Sequence, residues 1–275
     1  MIYIFGDSHA TSNFRNMKYQ YVNLARNSLT MNRVGRDKKE CIDFKNYNIQ
    51  NGDTIVYQIG EVDCRCHIGK QIQTGRILFE IITTLVNEFI NSIIINCEKY
   101  QYLNIIICCI PPPMDQDYFK SIHGDIDLSF PFIGTNSERV QYTFILNGKL
   151  KQKCEYYNFT FFDYYNDYED EKKMLKPLLS DNNVHIMENS YLLRSFYKIL
   201  NTLNKENNTQ FLYGQNIAQN FSAYERVKVE TKQVPLAIVH KIEEPLSKPD
   251  NKINLTLNFT NKITRTTHFM SKMNL

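Results

Sequence analysis

Short apolar runs recur along residues 1–205, and a stretch with helical spacing follows most of them. The apolar runs lie at residues 1–5, 54–60, 103–110 and 159–163, and a further short strand is predicted at residues 21–25. The four runs are mostly apolar rather than alternating, a pattern typical of strands that are buried on both faces of a parallel sheet. The pattern therefore predicts strands joined by helices.

The longest helical pattern covers residues 71–100, where isoleucine, leucine and phenylalanine recur every four residues from Ile77 to Ile93. This spacing places the apolar side chains on one face of a helix. Shorter helices are predicted at residues 9–18, 38–44, 137–154 and 187–203. The sequence LTMNRVGRD is predicted to form a loop with Gly35 at its bend.

The order of strands and helices predicts an α/β fold in which helices cover both faces of a parallel sheet. Residues 1–205 are expected to form this domain. Strand-like segments separated by prolines predict a small β-rich appendage of unknown role over residues 210–275. In open parallel sheets the active site lies outside the carboxyl ends of the strands, where Gly6, Gly60 and Asp163 fall.

Composition and charge narrow the function classes. Charged residues make up 22% of the 275 residues and hydrophobic residues 43%, as in ordinary globular proteins. The net charge of +3 forms no basic stripe, so no nucleic-acid partner is expected. Glu80, Asn87 and Glu88 interrupt the most apolar stretch, so a buried or amphipathic helix is expected there and no membrane partner. No secretion signal is recognised, and a cytoplasmic location is expected.

The seven cysteines are predicted to be reduced and mostly buried. No CxxC pair occurs and the number of cysteines is odd, so neither a disulfide framework nor a zinc site is expected. Cys64 and Cys66 lie next to His67, but no fourth ligand has a matching spacing. The sequence therefore predicts no metal and no organic cofactor.

The sequence GDSH, residues 6–9, places Ser8 at a turn between a strand and a helix. One interpretation is that Asp7 and Ser8 only cap the helix. The other is that Ser8 is a nucleophile, because such a turn exposes the hydroxyl and the helix N-terminus favours developing negative charge. His9 is interpreted as a helix-start residue or as one that supports Ser8.

A nucleophilic serine needs a base and a group that orients the base. Among the six histidines, His185 is the best candidate, because Asp181 precedes it closely in SDNNVHI. Both side chains are expected to lie on one loop that faces the carboxyl edge of the sheet. The alternative is a surface loop in which Asp181 caps the following helix.

GDSH near the N-terminus, with SDNNVHI near the end of the α/β domain, resembles the SGNH (GDSL-type) hydrolase superfamily over residues 1–205. The resemblance implies a three-layer, flavodoxin-like fold and an enzyme that splits or transfers ester-linked acyl groups. It also implies that Ser8 is the nucleophile and His185 the catalytic histidine, and that the N–H groups of Ser8 and Gly35 hold the oxyanion.

The sequence GEVD, residues 60–63, matches a further block of the family, Gly-x-Asn-Asp. The match assigns Gly60, Glu61 and Asp63 to the oxyanion and substrate-binding part of the site. Val62 stands where the family has an asparagine whose side chain donates to the oxyanion, and valine cannot donate. Arg65 is the nearest candidate to replace that donor. The alternative is that the charged residues after this strand form a structural ion-pair network.

The position of the acidic residue before His185 also differs from the family pattern. The usual spacing places an aspartate three residues before the histidine, and that position here is Asn182. Asp181 lies four residues before His185. One additional loop residue can be absorbed, so Asp181 is the predicted partner of the histidine.

The residues together predict a serine esterase or O-acyltransferase that acts on an acyl ester of a carbohydrate or another small polar molecule, through an acyl-enzyme on Ser8. The expected partner is this small-molecule or glycan substrate, and the oligomeric state is left open. The alternative is a catalytically weak or inactive binding or assembly module with the same fold, which the Val62 departure motivates.

Overall fold

The computed structural model describes residues 1–217, with side chains up to residue 203. Its five strands are β1 (Ile2–Gly6), β2 (Tyr21–Ala25), β3 (Thr54–Gln58), β4 (Asn104–Cys108) and β5 (Thr160–Phe162). Its helices are α1 (Ser8–Phe14), α2 (Met31–Asp37), α3 (Ile68–Gln73), α4 (Leu78–Cys97), α5 (Gln116–His123), α6 (Asn136–Tyr157), α7 (Tyr165–Tyr168) and α8 (Ser190–Ile217). A π-helical turn, Asp63–His67, precedes α3.

The strands form one parallel sheet in the order β2-β1-β3-β4-β5. Alternate residues of a strand point to opposite faces, so β1 contributes Tyr3 and Phe5 to one core and Ile2 and Ile4 to the other. Helices α2, α4 and α6 cover the first face, and α1, α5 and α8 cover the second. The predicted three-layer α/β fold is confirmed.

Within the segment LTMNRVGRD, residues 31–37 form α2, and the predicted loop is wrong. Thr30 caps α2 by accepting a hydrogen bond from Arg33 N (3.0 Å), and Asp63 accepts one from Met31 N (2.7 Å). Gly35 lies inside this helix. A Cβ there would lie 2.8 Å from Glu88 Cβ on α4, so the glycine allows the two helices to approach closely.

Helix α4 is long and apolar enough to cross a membrane by length and composition alone. In the structure its buried face, which includes Ile81, Leu85, Phe89 and Ile93, packs in the core between α2 and α6. Core packing therefore accounts for the apolar character of this helix.

The chain divides into two compact units, Met1–Thr209 and Gln210–Leu275. Helix α8 continues to Ile217, beyond the predicted helix end at residue 203, so residues 210–217 are helical. The rest of the predicted β-rich module, residues 218–275, lies outside the described residues.

Candidate active site

Ser8 is the first residue of α1 and lies at the carboxyl edge of the sheet. Asp7 is the N-cap of this helix, and its Oδ1 accepts a hydrogen bond from His9 N (2.9 Å). Asp7 N donates to the carbonyl of Gln58 on β3 (3.2 Å), which fixes the turn against the neighbouring strand. Within the described residues, no hydrogen bond uses Ser8 N–H, as is usual in the first turn of a helix.

Ser8, His185 and Asp181 form a continuous hydrogen-bonded chain. His185 Nε2 lies 2.8 Å from Ser8 Oγ, and His185 Nδ1 lies 2.8 Å from Asp181 Oδ2. The side chains of His185 and Asp181 are 22% and 32% exposed, so solvent and substrate can reach them. In this geometry the imidazole can take the hydroxyl proton while the carboxylate orients the ring.

The loop that carries Asp181 and His185 is held by its own hydrogen bonds. Asp181 Oδ1 accepts from Asn183 N (2.9 Å) and His185 N (3.2 Å), and Asp181 N donates to His185 O (3.1 Å). Burial alone would raise the pKa of Asp181, but the hydrogen bonds from His185 and from these N–H groups lower it below its usual value. The carboxylate is therefore ionised when it faces the imidazole.

Asn182, which the family spacing would make the acid, faces away from the histidine. Its φ of 62° is left-handed, and this conformation absorbs the additional loop residue. Its Oδ1 accepts from Tyr118 OH (2.7 Å) and its carbonyl oxygen lies 2.7 Å from His123 Nε2, both on α5. Asp181 is thus the residue brought to His185.

A cleft of about 290 Å³ opens beside Ser8. Its lining combines small polar, charged and apolar side chains: Ser8, Ser28, Thr30, Glu61, Val62, Arg65, Cys66, His67, Lys70, Leu128, Ser129, Phe130, Pro131 and Val184. Burial, Lys70 and Arg65 lower the pKa of His67, so this imidazole is neutral near pH 7.

Ser28 is a cleft residue that the sequence interpretation missed. Arg26 N donates to Gly6 O (2.9 Å), which holds the loop after β2 beside the turn that carries Ser8. Ser28 has a φ of 58°, a conformation that glycine adopts without strain. No hydrogen bond of residues 1–217 uses its N–H. A glycine at position 28 would have indicated a left-handed turn from the sequence alone. A serine after an asparagine indicates such a turn only weakly.

Gly35 and Gly60 do not line this cleft. Gly35 is the fifth residue of α2, and the N–H of a helical residue at that depth is directed to the carbonyl four residues earlier. Its predicted role as an oxyanion donor is wrong. Gly60 has a φ of 125°, and a Cβ there would lie 2.8 Å from Ile110 Cδ1. It allows the tight turn after β3, which does not require contact with a substrate.

Arg65 does not replace the missing asparagine. Its Nε donates to Glu61 Oε1 (2.7 Å) and its Nη1 to Pro131 O (2.9 Å), and its guanidinium lies 3.8 Å from the ring centroid of Phe130. Both members of the ion pair are 7% exposed at the side chain. The predicted oxyanion role of Arg65 is therefore corrected: Arg65 and Glu61 form a structural pair that holds the loop around Pro131.

Asp63 supports α2 rather than a substrate. Its two oxygens accept from Met31 N (2.7 Å) and Asn32 N (3.3 Å). N–H groups in the first turn of a helix have no partner within the helix, and Asp63 supplies one here. Burial raises the pKa of Asp63 to about 7, although these two hydrogen bonds lower it. Its assignment to substrate binding is corrected to helix capping.

No cluster of His, Cys, Asp and Glu in the described part of the chain could hold a metal ion. Cys64 and Cys66 are free and buried, and burial raises the pKa of the Cys64 thiol far above its usual range. The Cys64 thiol is thus a neutral core side chain.

Comparisons with known proteins identify the fold. No protein-family model and no curated protein sequence matches this chain. A solved structure provisionally described as a platelet activating factor from Streptococcus pneumonia has a TM-score of 0.50 and 16% identity, over 72% of this chain and 83% of that one. One provisionally described as an acylhydrolase from Bacteroides fragilis has a TM-score of 0.50 and 16% identity, over 74% and 86%.

These likenesses concern the fold alone. The chain shares the α/β fold of these two structures, which agrees with the fold that the resemblance of its sequence blocks implies.

Proposed function

We propose that the protein is a serine esterase that cleaves an acyl ester through an acyl-enzyme on Ser8. The observation that carries the proposal is the hydrogen-bonded chain in which His185 Nε2 lies 2.8 Å from Ser8 Oγ and His185 Nδ1 lies 2.8 Å from Asp181 Oδ2. A serine alone is too weak a nucleophile, and this geometry supplies both its base and the orientation of that base.

In the first step Ser8 Oγ attacks the acyl carbon while His185 Nε2 takes the hydroxyl proton. The tetrahedral intermediate then collapses, the ester C–O bond breaks, and His185 returns the proton to the leaving alcohol. In the second step His185 takes a proton from water, which attacks the acyl-enzyme. The second tetrahedral intermediate then collapses, the bond from Ser8 Oγ to the acyl carbon breaks, and His185 returns the proton to Ser8 Oγ as the acid leaves. Asp181 holds the imidazole and stabilises its protonated form in both steps.

The oxyanion in this proposal is held by the N–H groups of Ser8 and Ser28. Both residues line the cleft, and neither N–H is used by another group in residues 1–217. Val62 supplies no third donor. Loss of one such donor costs about 10²–10³ in rate in a well-studied protease, so we expect a slow enzyme.

We propose a carbohydrate ester or another small polar ester as the substrate. The cleft of about 290 Å³ carries Ser28, Thr30, Lys70 and Ser129, which can bind hydroxyl or carboxylate groups of a polar substrate. The fold neighbour described as an acylhydrolase agrees with ester cleavage. Transfer to a sugar hydroxyl follows if an alcohol takes the place of water in the second step.

A fluorophosphonate probe and p-nitrophenyl acetate test the proposal. Both reagents are expected to react with the wild type, and Ser8→Ala should abolish labelling and turnover. Ser12→Ala is the matched control, since Ser12 lies on the same helix and, among the described residues, its hydroxyl bonds only His9 O and Asn13 Oδ1. A wild type that is neither labelled nor active would overturn the proposal in favour of the binding module, and labelling or turnover that survives in Ser8→Ala would overturn Ser8 as the nucleophile.

A further inference from the structure

His9, directly after the proposed nucleophile, is a buried histidine with an acceptor on each side. Its side chain is 1% exposed. Its Nδ1 lies 3.1 Å from Asp7 Oδ1, and its Nε2 lies 3.0 Å from the carbonyl oxygen of Val184. A carboxylate and a carbonyl oxygen both accept, so both ring nitrogens must donate. The geometry requires the doubly protonated imidazolium.

The charges around His9 agree with this form. Burial disfavours the charged ring, but Asp7, then Glu61 and the Val184 carbonyl, outweigh it and raise the pKa of His9 to about 9. In the described part of the chain Asp7 Oδ2 has no hydrogen-bond partner, so His9 is the group that balances that carboxylate. Asp63 adds a further carboxyl group near Asp7.

The two acceptors belong to the two halves of the proposed active site. Asp7 is the N-cap of the helix that begins at Ser8. Val184 lies between Asp181 and His185, on the loop that carries the base. The rings of His9 and His185 are in contact, with centroids 4.7 Å apart at an interplanar angle of 46°. The ring of His9 therefore connects the nucleophile's turn to the base's loop.

Helix capping alone does not explain this side chain. The backbone N–H of His9 already satisfies Asp7 Oδ1, so any residue except proline at position 9 would complete the cap. The bond from Nε2 to Val184 O crosses 175 positions of the sequence and does nothing for the helix.

We infer that His9 is a positioning residue, which as a buried imidazolium ties the loop that carries Asp181 and His185 to the turn that carries Ser8. The inference rests on the proposed function for its kinetic consequence and on geometry alone for the tie. A neutral His9 has one N–H and can keep only one of its two bonds, so the tie weakens as pH rises through about 9.

Two near-isosteric variants separate the two bonds. Glutamine places its Nε2 as far from Cβ as the histidine Nε2, so His9→Gln keeps a donor for Val184 O. Asparagine matches the histidine Nδ1, so His9→Asn keeps a donor for Asp7 only. Misplacement by about 1 Å costs up to about 10² in rate, so we expect kcat to fall about tenfold or less in His9→Gln and about 10²-fold in His9→Asn, with KM unchanged in both.

The pH profile gives a second kinetic readout. We expect kcat/KM of the wild type to fall above pH about 9 as His9 loses its proton, and we expect His9→Gln, which has no proton to lose there, to lack this alkaline limb. Equal kcat values in the two variants, or an unchanged alkaline limb in His9→Gln, overturn the inference.

Nitrogen-15 NMR of the histidine rings tests the tie without any turnover. In the full chain at pH 7, both His9 nitrogens should show protonated, imidazolium-type shifts, and the same spectrum is expected of Ser8→Ala. The amide of His185 should exchange faster with solvent in His9→Asn than in His9→Gln. An unprotonated His9 nitrogen at pH 7 overturns the inference, whereas failure of the esterase assay with these spectra intact overturns only the proposed function.

Discussion

Asp181 and His185 are four residues apart, and Asp181 Oδ2 nevertheless lies 2.8 Å from His185 Nδ1. The left-handed backbone of Asn182, with a φ of 62°, makes this possible by turning its own side chain toward Tyr118. The sequence spacing left Asn182 and Asp181 as candidates for the partner of His185. The left-handed backbone of Asn182 brings Asp181 to the imidazole.

The Asp181→Asn variant should lose most of its turnover. An asparagine cannot stabilise the imidazolium and favours the wrong tautomer, and the equivalent change lowers kcat by about 10⁴ in a serine protease. Asn182→Gly, which keeps the left-handed backbone without strain, is the matched control and should keep kcat within about threefold, because the Asn182 side chain faces α5; steady-state hydrolysis of p-nitrophenyl acetate measures both. If Asn182→Gly is the more damaging change, the acid has been misassigned.

Ser28→Gly should stabilise the protein and leave turnover intact. A left-handed conformation costs a non-glycine residue about 1–2 kcal/mol, and the larger entropy of glycine in the unfolded chain offsets about half of this. We expect Tm to rise by about 1–4 °C. Ser28→Val, which strains the same backbone and displaces its N–H, should lower both Tm and kcat. Unchanged kcat in Ser28→Val would exclude the N–H of Ser28 as an oxyanion donor.

Val62→Asn should raise turnover. The cleft lacks a side-chain donor at this position, and one donor to an oxyanion contributes about 10²–10³ in rate when it is well placed. We expect an increase in kcat of about tenfold or more. Val62→Ala serves as control for the change in volume and should leave kcat near the wild-type value. A Val62→Asn enzyme no faster than Val62→Ala contradicts this prediction.

Arg65→Ala should destabilise the fold rather than change the chemistry. The substitution leaves the Glu61 carboxylate buried without its partner, which costs about 3–5 kcal/mol. The double variant Glu61→Gln/Arg65→Met removes both charges and should recover much of the stability. Urea unfolding measures the loss, and kcat per folded molecule should stay within about fivefold of the wild type. A selective loss of kcat in a stable Arg65 variant would restore its predicted role at the oxyanion.

The free energy of unfolding should fall as pH rises from 5 to 9. Burial raises the pKa of Asp63 from 3.8 to about 7, so its proton stabilises the folded state fully below about pH 4 and ceases to do so as pH passes 7. Burial opposes protonation of His9, but Asp7 outweighs it and raises the pKa from 6.5 to about 9, so this contribution is complete below about pH 6.5 and lost through pH 9. Urea unfolding at pH 5, 7 and 9 measures whether the free energy of unfolding falls in that order.

Asp63→Asn is the variant that separates the two groups. It should remove the slope below pH 7 and keep the slope between pH 7 and 9, which belongs to His9. Greater stability of the wild type at pH 9 than at pH 5 would contradict both assignments.

Strands β1, β3 and β4 were predictable because each is a short apolar run that is buried on both faces. Predicting the strand at residues 21–25 and the burial of β3 and β4 required only the composition of these segments and the period of their apolar residues. Helix α2 was not predictable in this way: Gly35 is a poor helix former, and its place in α2 depends on contact with α4, 53 positions away.

The sequence by itself predicted that Ser8 and His185 meet at the carboxyl edge of the sheet, because strand ends and turns are local features. Only the tertiary structure decided which polar groups surround them. It paired Arg65 with Glu61, turned Asp63 to the end of α2, and placed Ser28 rather than Gly35 in the cleft. It also gave His9 two acceptors from opposite halves of the site. Such pairings depend on side-chain distances across the fold, and neither residue type nor spacing encodes those distances.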